Sequence, residues 1–162
     1  RRAQDRLAFQ QQRVRRASFG LDVGPQREFL LRIDDPANRQ AILEELVALR
    51  GRIDPDLVLL PSSSDIHQDH SVVAAEGVRA FKHSTVLGYE LPMNTISFQH
   101  ACFVALEPRH LAIKVRHAAA YTSQQTRAYM RKEFLESLAL VRGVQMNAPA
   151  AEAFEVIRMV VV

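Results

Sequence analysis

The chain has 162 residues, 48% of them hydrophobic and 24% charged, with a formal net charge of +3. That length suffices for one domain with a sizeable core, and the composition is that of a globular protein. No apolar run approaches the roughly 20 residues that span a bilayer, and with so small a basic excess nucleic-acid binding is supported by the basic pI alone, so a solvated basic face is the better reading.

The opening Arg1-Arg2 and the polar stretch behind it carry no secretory signal, so a cytoplasmic location is expected. Basic residues are spread along the chain apart from Arg13, Arg15 and Arg16, and no aromatics are interleaved with them. Leu7, Ala8, Gln11 and Val14 mark an amphipathic helix with no cap before it, which leads us to expect an upstream segment. Val14 to Phe19 reads as a short strand, and Gly20 to Pro25 as a turn.

Asp34-Asp35-Pro36 is a helix start, with Pro36 in the first turn. The helix should run to about Arg50, burying Ile42, Leu43, Leu46, Val47 and Leu49, with Gly51 as its terminator. Leu57, Val58, Leu59 and Leu60 are consecutive apolar residues, the pattern of a parallel strand covered on both faces. A helix is expected over residues 71–81, then strands over 85–91 and 101–106. Cys102, the single cysteine, falls in the second of these and reads as a packing residue. Glu107-Pro108 opens a helix to Ala120; another is expected over about 126–141, closed by Gly143. A last strand is expected over 154–161. The order helix, buried strand, polar loop, helix gives an α/β fold, one domain over residues 1–162, with a mostly parallel sheet.

Between the first strand and its helix lies Pro61-Ser62-Ser63-Ser64-Asp65-Ile66-His67-Gln68-Asp69-His70. Open α/β sheets place their chemistry at such a strand-to-helix turn. His67 and His70 are three apart at a helix start, so both imidazoles can reach one side of the turn. Imidazole is a common zinc ligand, and Asp69 could either orient a ring or cap the helix. Ser62, Ser63 and Ser64 supply turn hydroxyls rather than a nucleophile. His83, His100, His110 and His117 have no carboxylate at ligand spacing and read as surface or packing residues. A catalytic zinc takes about three protein ligands, which no later segment supplies, and Asp34-Asp35 reads as a cap.

This stretch resembles the PIG-L/LmbE-type zinc-dependent de-N-acetylases. The resemblance continues through Arg79-Ala80-Phe81, Leu87-Gly88-Tyr89-Glu90-Leu91-Pro92, Tyr121-Thr122-Ser123-Gln124, Arg142-Gly143 and Ala151-Glu152-Ala153-Phe154-Glu155. It implies a Rossmann-like three-layer fold and hydrolysis of the acetamide of an N-acetylated amino sugar or glycoconjugate. It also implies His70 as a zinc ligand, His67 as the protonated imidazole facing the oxyanion, and Asp69 as the group that tunes His67. The family's His-Pro-Asp-Asp element, source of two zinc ligands and the general base, does not occur in these 162 residues. The first strand and helix of the fold are accordingly expected to be missing, and the chain alone to be inactive. Two other readings stand beside this one. Metallo-β-lactamase-type hydrolases carry His-x-His-x-Asp-His, in which Asp65 here replaces the first histidine; a non-catalytic Rossmann-like binding module needs no metal at all.

Overall fold

The computed structural model describes residues 36–161, so the expected helix around Leu7, the strand from Val14 and the turn from Gly20 lie outside the described residues. Within them, helix α1 (Pro36–Ile53) leads to strand β1 (Leu57–Pro61), helix α2 (Gln68–Ala80) and strand β2 (Thr85–Tyr89). Next come strand β3 (Cys102–Ala105), helix α3 (Pro108–Ala120), short 3-10 turns at Thr122–Gln124 and Ala128–Met130, helix α4 (Lys132–Gln145) and strand β4 (Ala151–Arg158).

The described strands form one sheet in the order β1-β2-β4-β3. β1 and β2 are parallel, joined by α2 as a βαβ unit, whereas β4 runs antiparallel to both β2 and β3. The expectation of a mostly parallel sheet is therefore corrected: the sheet is mixed. An apolar run reports how deeply a strand is buried and not which way it runs, and β4 inserts between β2 and β3 against the direction of β2.

Leu60, Ala80, Phe81 and Val86 make the centre of the core, with Leu43, Leu46 and Leu49 of α1 and Val58, Val78 and Ile157 packed around it. A large apolar side chain of this kind contributes about 1.5–3 kcal/mol when fully removed from water. Three of the five residues expected to be buried on α1 thus reach this core; Ile42 is half-buried and Val47 faces outward. Strand pleating sends Leu59 to the opposite side from Val58 and Leu60, and there it is 50% exposed. β1 is consequently covered on one face by the described residues, not on both.

Ion pairs bind the layers at their ends. Glu76 of α2 is fully buried and receives Arg39 of α1, with Nε and Nη2 at 3.0 and 2.6 Å, and Arg79 one turn on. Burial works against the charged Glu76, but the two guanidiniums outweigh it and hold its carboxyl below the ordinary value. One turn further, at the C-terminus of α2, Arg50 donates to the Ala80 carbonyl and Arg158 to that of Phe81, cations where the helix dipole favours them.

Two helix ends differ from expectation for local reasons. α1 runs through Gly51, where a Cβ would meet nothing, and stops at Asp54, whose φ of 39° is left-handed, ahead of Pro55. α4 starts at Lys132 because the preceding residues are held in 3-10 turns, with the Tyr129 hydroxyl donating to Gln124 at 3.0 Å. Gly143 lies inside α4, and Asn147 (φ 57°) is the left-handed residue beyond its end. Cys102 is half-buried on a strand at the edge of the described sheet, so its packing role is a partial one. Among the described residues no helix is long and apolar enough to cross a membrane.

Candidate functional site

The polar turn sits where β1 ends and α2 begins, at the carboxyl edge of the parallel pair. Ser62 to Asp65 close a turn in which the Asp65 amide donates to the Ser62 carbonyl at 3.1 Å. A second segment braces it from outside: Asp65 and Thr95 form an isolated bridge, and the Ile66 amide donates to the Asn94 carbonyl at 3.1 Å.

Asp65 organises the entry to α2. Its side chain is fully buried, and its Oδ1 accepts the backbone N–H of His67 at 2.8 Å while Oδ2 lies 2.8 Å from His70 Nδ1. An ionised carboxylate only accepts, so His70 presents an N–H on Nδ1, and in the neutral ring the lone pair then lies on Nε2. Asn94 Nδ2 also approaches His70 Nδ1, at 3.5 Å, but the carboxylate is nearer and charged.

His67 is the N-cap of α2, with Nδ1 accepting the Asp69 backbone N–H at 3.3 Å. This partner leaves the His67 proton on Nε2. The two rings stack with centroids 4.5 Å apart, so two imidazoles in contact carry opposite protonation patterns. His70 offers a metal-binding lone pair, and His67 offers an N–H donor. The arrangement also decides the cap: His67 fills it, and Asp69 stands in the first turn of α2, where its negative charge suits the helix dipole. Among the described residues the Asp69 carboxylate has no hydrogen bond; what this residue gives His67 is its amide.

The serines are structural, in keeping with their place in a turn. Ser62 is buried and its hydroxyl donates to Glu155 Oε2 of β4 at 2.8 Å; the Ser63 amide donates to the same oxygen at 2.8 Å, and the Ser63 hydroxyl donates to Oε1. Burial opposes the charge on Glu155, and the bonds from Ser63 and Ser62 outweigh it, placing its carboxyl below the ordinary range. Tyr89, at the end of β2, moves the other way: burial and the Asp65 carboxylate both raise its phenol.

A metal was expected here, and the residues present fit it only in part. Among the described residues no group of three or more His, Cys, Asp or Glu side chains could hold a metal ion. His70 supplies one nitrogen, short of the three protein ligands of a catalytic zinc. The described residues alone do not make a zinc site. Of the other histidines, His110 accepts the Glu107 amide at 3.2 Å at the start of α3, and His100 packs edge-on against Phe98. A cavity of about 330 Å³ lies on the far side of the sheet, bounded by Leu59, Leu91, Leu138 and the Glu90–Arg142 ion pair. None of His67, Asp69 and His70 lines it.

The sequence placed Asp65 in the cluster and Glu155 in the resemblance without giving either a role, and it did not single out Asn94. Asp65 could have been given one, since an aspartate two before a helix N-cap is placed to accept that residue's amide. Asn94 and Glu155 lie 24 and 92 residues from the groups they meet and leave no local signal.

No protein-family profile matches the chain, and no curated protein sequence does. Solved structures do share the fold. GalB, the 4-carboxy-2-hydroxymuconate hydratase from Pseudomonas putida KT2440, superposes with a TM-score of 0.58 at 19% identity, covering 76% of this chain and 60% of its own. The zinc-inhibited form of teicoplanin deacetylase Orf2 gives a TM-score of 0.56 at 17% identity, covering 74% of this chain and 52% of its own. The chain thus spans little more than half of each neighbour. At these identities the likeness establishes an α/β fold shared with enzymes, one a hydratase and one a deacetylase.

Proposed function

We propose that this chain is the part of a PIG-L/LmbE-type zinc-dependent hydrolase that carries His67, Asp69 and His70, and that the whole enzyme removes an acetyl group from an N-acetylated amino sugar or glycoconjugate. The observation that carries this reading is the opposed bonding of the stacked imidazoles: His70 turns Nδ1 to the Asp65 carboxylate, which suits a neutral ring with its lone pair on Nε2, and His67 Nδ1 accepts the Asp69 amide, which suits an Nε2–H. A hydrolase of this kind needs both functions, one ligand nitrogen and one donor, within a single site. The deacetylase among the fold neighbours supports the choice of reaction, and the hydratase shows why the fold alone does not fix it.

In this reading Asp65 holds His70 in its ligating tautomer, as carboxylates do behind metal-bound imidazoles. His70 is one zinc ligand, and the others come from outside residues 36–161. Zinc, when bound, supplies an acidified water. His67 donates through Nε2–H to the carbonyl oxygen as it becomes an oxyanion. This differs from the protonated imidazole implied by the resemblance, because the Asp69 amide occupies Nδ1. Asp69 orients His67 through that amide and sets its negative charge nearby.

Acetate release from a panel of N-acetylated amino sugars and glycoconjugates, measured on the native gene product, tests the proposal. His67→Ala should lower kcat by about 10²–10³-fold, the usual cost of an oxyanion donor. His70→Ala should abolish the reaction and lower zinc content. Undiminished hydrolysis by either variant would remove that residue from the mechanism.

A further inference from the structure

Glu155 is a carboxylate that this mechanism does not use, yet it meets the turn from the far end of the chain. It sits on β4 opposite Gly88 of β2. A Cβ at Gly88 would stand 3.0 Å from Glu155 Oε2 and 3.0 Å from Ser62 Cα, so the missing side chain clears the path by which Glu155 crosses β2. Beyond it the carboxylate accepts three bonds, from the Ser62 hydroxyl, the Ser63 amide and the Ser63 hydroxyl. Ser62 then accepts the Ser64 amide on Oγ at 3.2 Å and the Asp65 amide on its carbonyl at 3.1 Å. Asp65 in turn holds His70 Nδ1 and the His67 amide. One continuous set of bonds therefore runs from β4 to the His70 imidazole and to the backbone amide of His67.

We propose that Glu155 is a positioning residue of the site: it fixes the Ser62–Asp65 turn from across the sheet, and through Asp65 it selects the His70 tautomer that leaves Nε2 free. The inference rests on the reading of His70 as a ligand. Its physical basis is that charged acceptors hold amide and hydroxyl donors more tightly than neutral ones. Without those bonds the turn keeps its internal contacts, the Asn94–Thr95 brace and bonds from the Ser62 amide and Ser64 hydroxyl to the Tyr89 and Ser97 carbonyls, none of them to a charged acceptor. The 2.8 Å contact between Asp65 and His70 then has no fixed base.

Long-range ¹H–¹⁵N spectra of the histidine side chains read the tautomer directly, whether or not the protein hydrolyses any amide, so loss of the deacetylase reading leaves this test standing. In the wild-type chain His70, identified by its loss in His70→Ala, should show an unprotonated Nε2 and a protonated Nδ1. Glu155→Ala should keep the backbone amide spectrum of β2 and β4 while the two His70 nitrogens move toward a common average. Glu155→Gln, which keeps an acceptor for the Ser63 amide but not the charge, should fall between the wild type and Glu155→Ala. If Glu155→Ala does not fold, the paired Ser62→Ala and Ser63→Ala variant, which keeps only the amide bond, should show the same averaging in part. A wild-type His70 pattern in Glu155→Ala, or in that double variant, would overturn the proposal, as would averaging already present in the wild-type chain.

Discussion

Asp65 carries the site at the residue scale, because two acceptors on one buried carboxylate serve two different donors. Replacing it with Asn turns one of those oxygens into an NH₂ group, so either the His67 amide or His70 Nδ1 must lose its acceptor or His70 must change tautomer. With the side chain wholly buried, Asp65→Asn should destabilise by about 1–3 kcal/mol, as read by urea unfolding. An unchanged midpoint would mean that the carboxylate is dispensable to the turn. Glu76 and Glu155 make a second, pH-dependent contribution. Both have folded-state carboxyls held below the ordinary 4.5. Their stabilisation is fully present above that value and is lost as the pH falls through the lower folded one. The urea midpoint should therefore hold well above pH 4.5 and fall as the pH drops below that value. Glu155→Gln should flatten part of that fall. The paired histidines were legible in the sequence because three-residue spacing at a helix start is a local pattern. Their orienting groups were less so, since Glu155 is joined to Ser63 by the sheet and not by sequence.

Glycines illustrate the scale of elements, where identical residues serve opposite purposes. A Cβ on Gly143 would lie 2.5 Å from the Ala148 carbonyl oxygen and 2.8 Å from the Ala150 amide nitrogen, all backbone atoms that cannot rotate away. Gly143→Ala should cost about 1–3 kcal/mol or more, since the connection into β4 must move. Gly51 faces open space inside α1, and Gly51→Ala should stabilise by about 0.5–1 kcal/mol by thermal unfolding. Equal effects from the two substitutions would contradict this assignment. Both glycines read as helix terminators in the sequence, because composition does not distinguish a residue that ends a helix from one that admits a neighbour. The start of α3 at Pro108 was legible to the residue, as proline is specific to the first turn. The boundary between Thr126 and Lys132 was not, for tertiary contacts hold that stretch in tight turns. The buried Glu76 belongs to the same scale: Arg39→Ala combined with Arg79→Ala should cost about 3–5 kcal/mol, whereas a well-packed Glu76→Met should be nearly neutral.

For the whole molecule, alternation and apolar runs identified the α/β class and each of the described strands, and they failed on direction. β4 could be read as a strand from its residues, but its antiparallel insertion between β2 and β3 depends on the path of α3 and α4. β1 combines a central-strand composition with a place at the edge of the described sheet, and Leu59 there remains half in solvent. The fold nonetheless delivers Asp65, His67 and His70 to the carboxyl end of the β1/β2 parallel pair, where α/β sheets bind their ligands. The site is thus positioned by topology and tuned by two carboxylates, Asp65 beyond the end of β1 and Glu155 on β4. Acetate release by the zinc-loaded native gene product, wild type beside His70→Ala, is the most direct measurement. The account predicts hydrolysis of an N-acetylated amino sugar or glycoconjugate that disappears with His70. Absence of hydrolysis across such a panel by a folded protein would contradict it, and so would hydrolysis that survives His70→Ala.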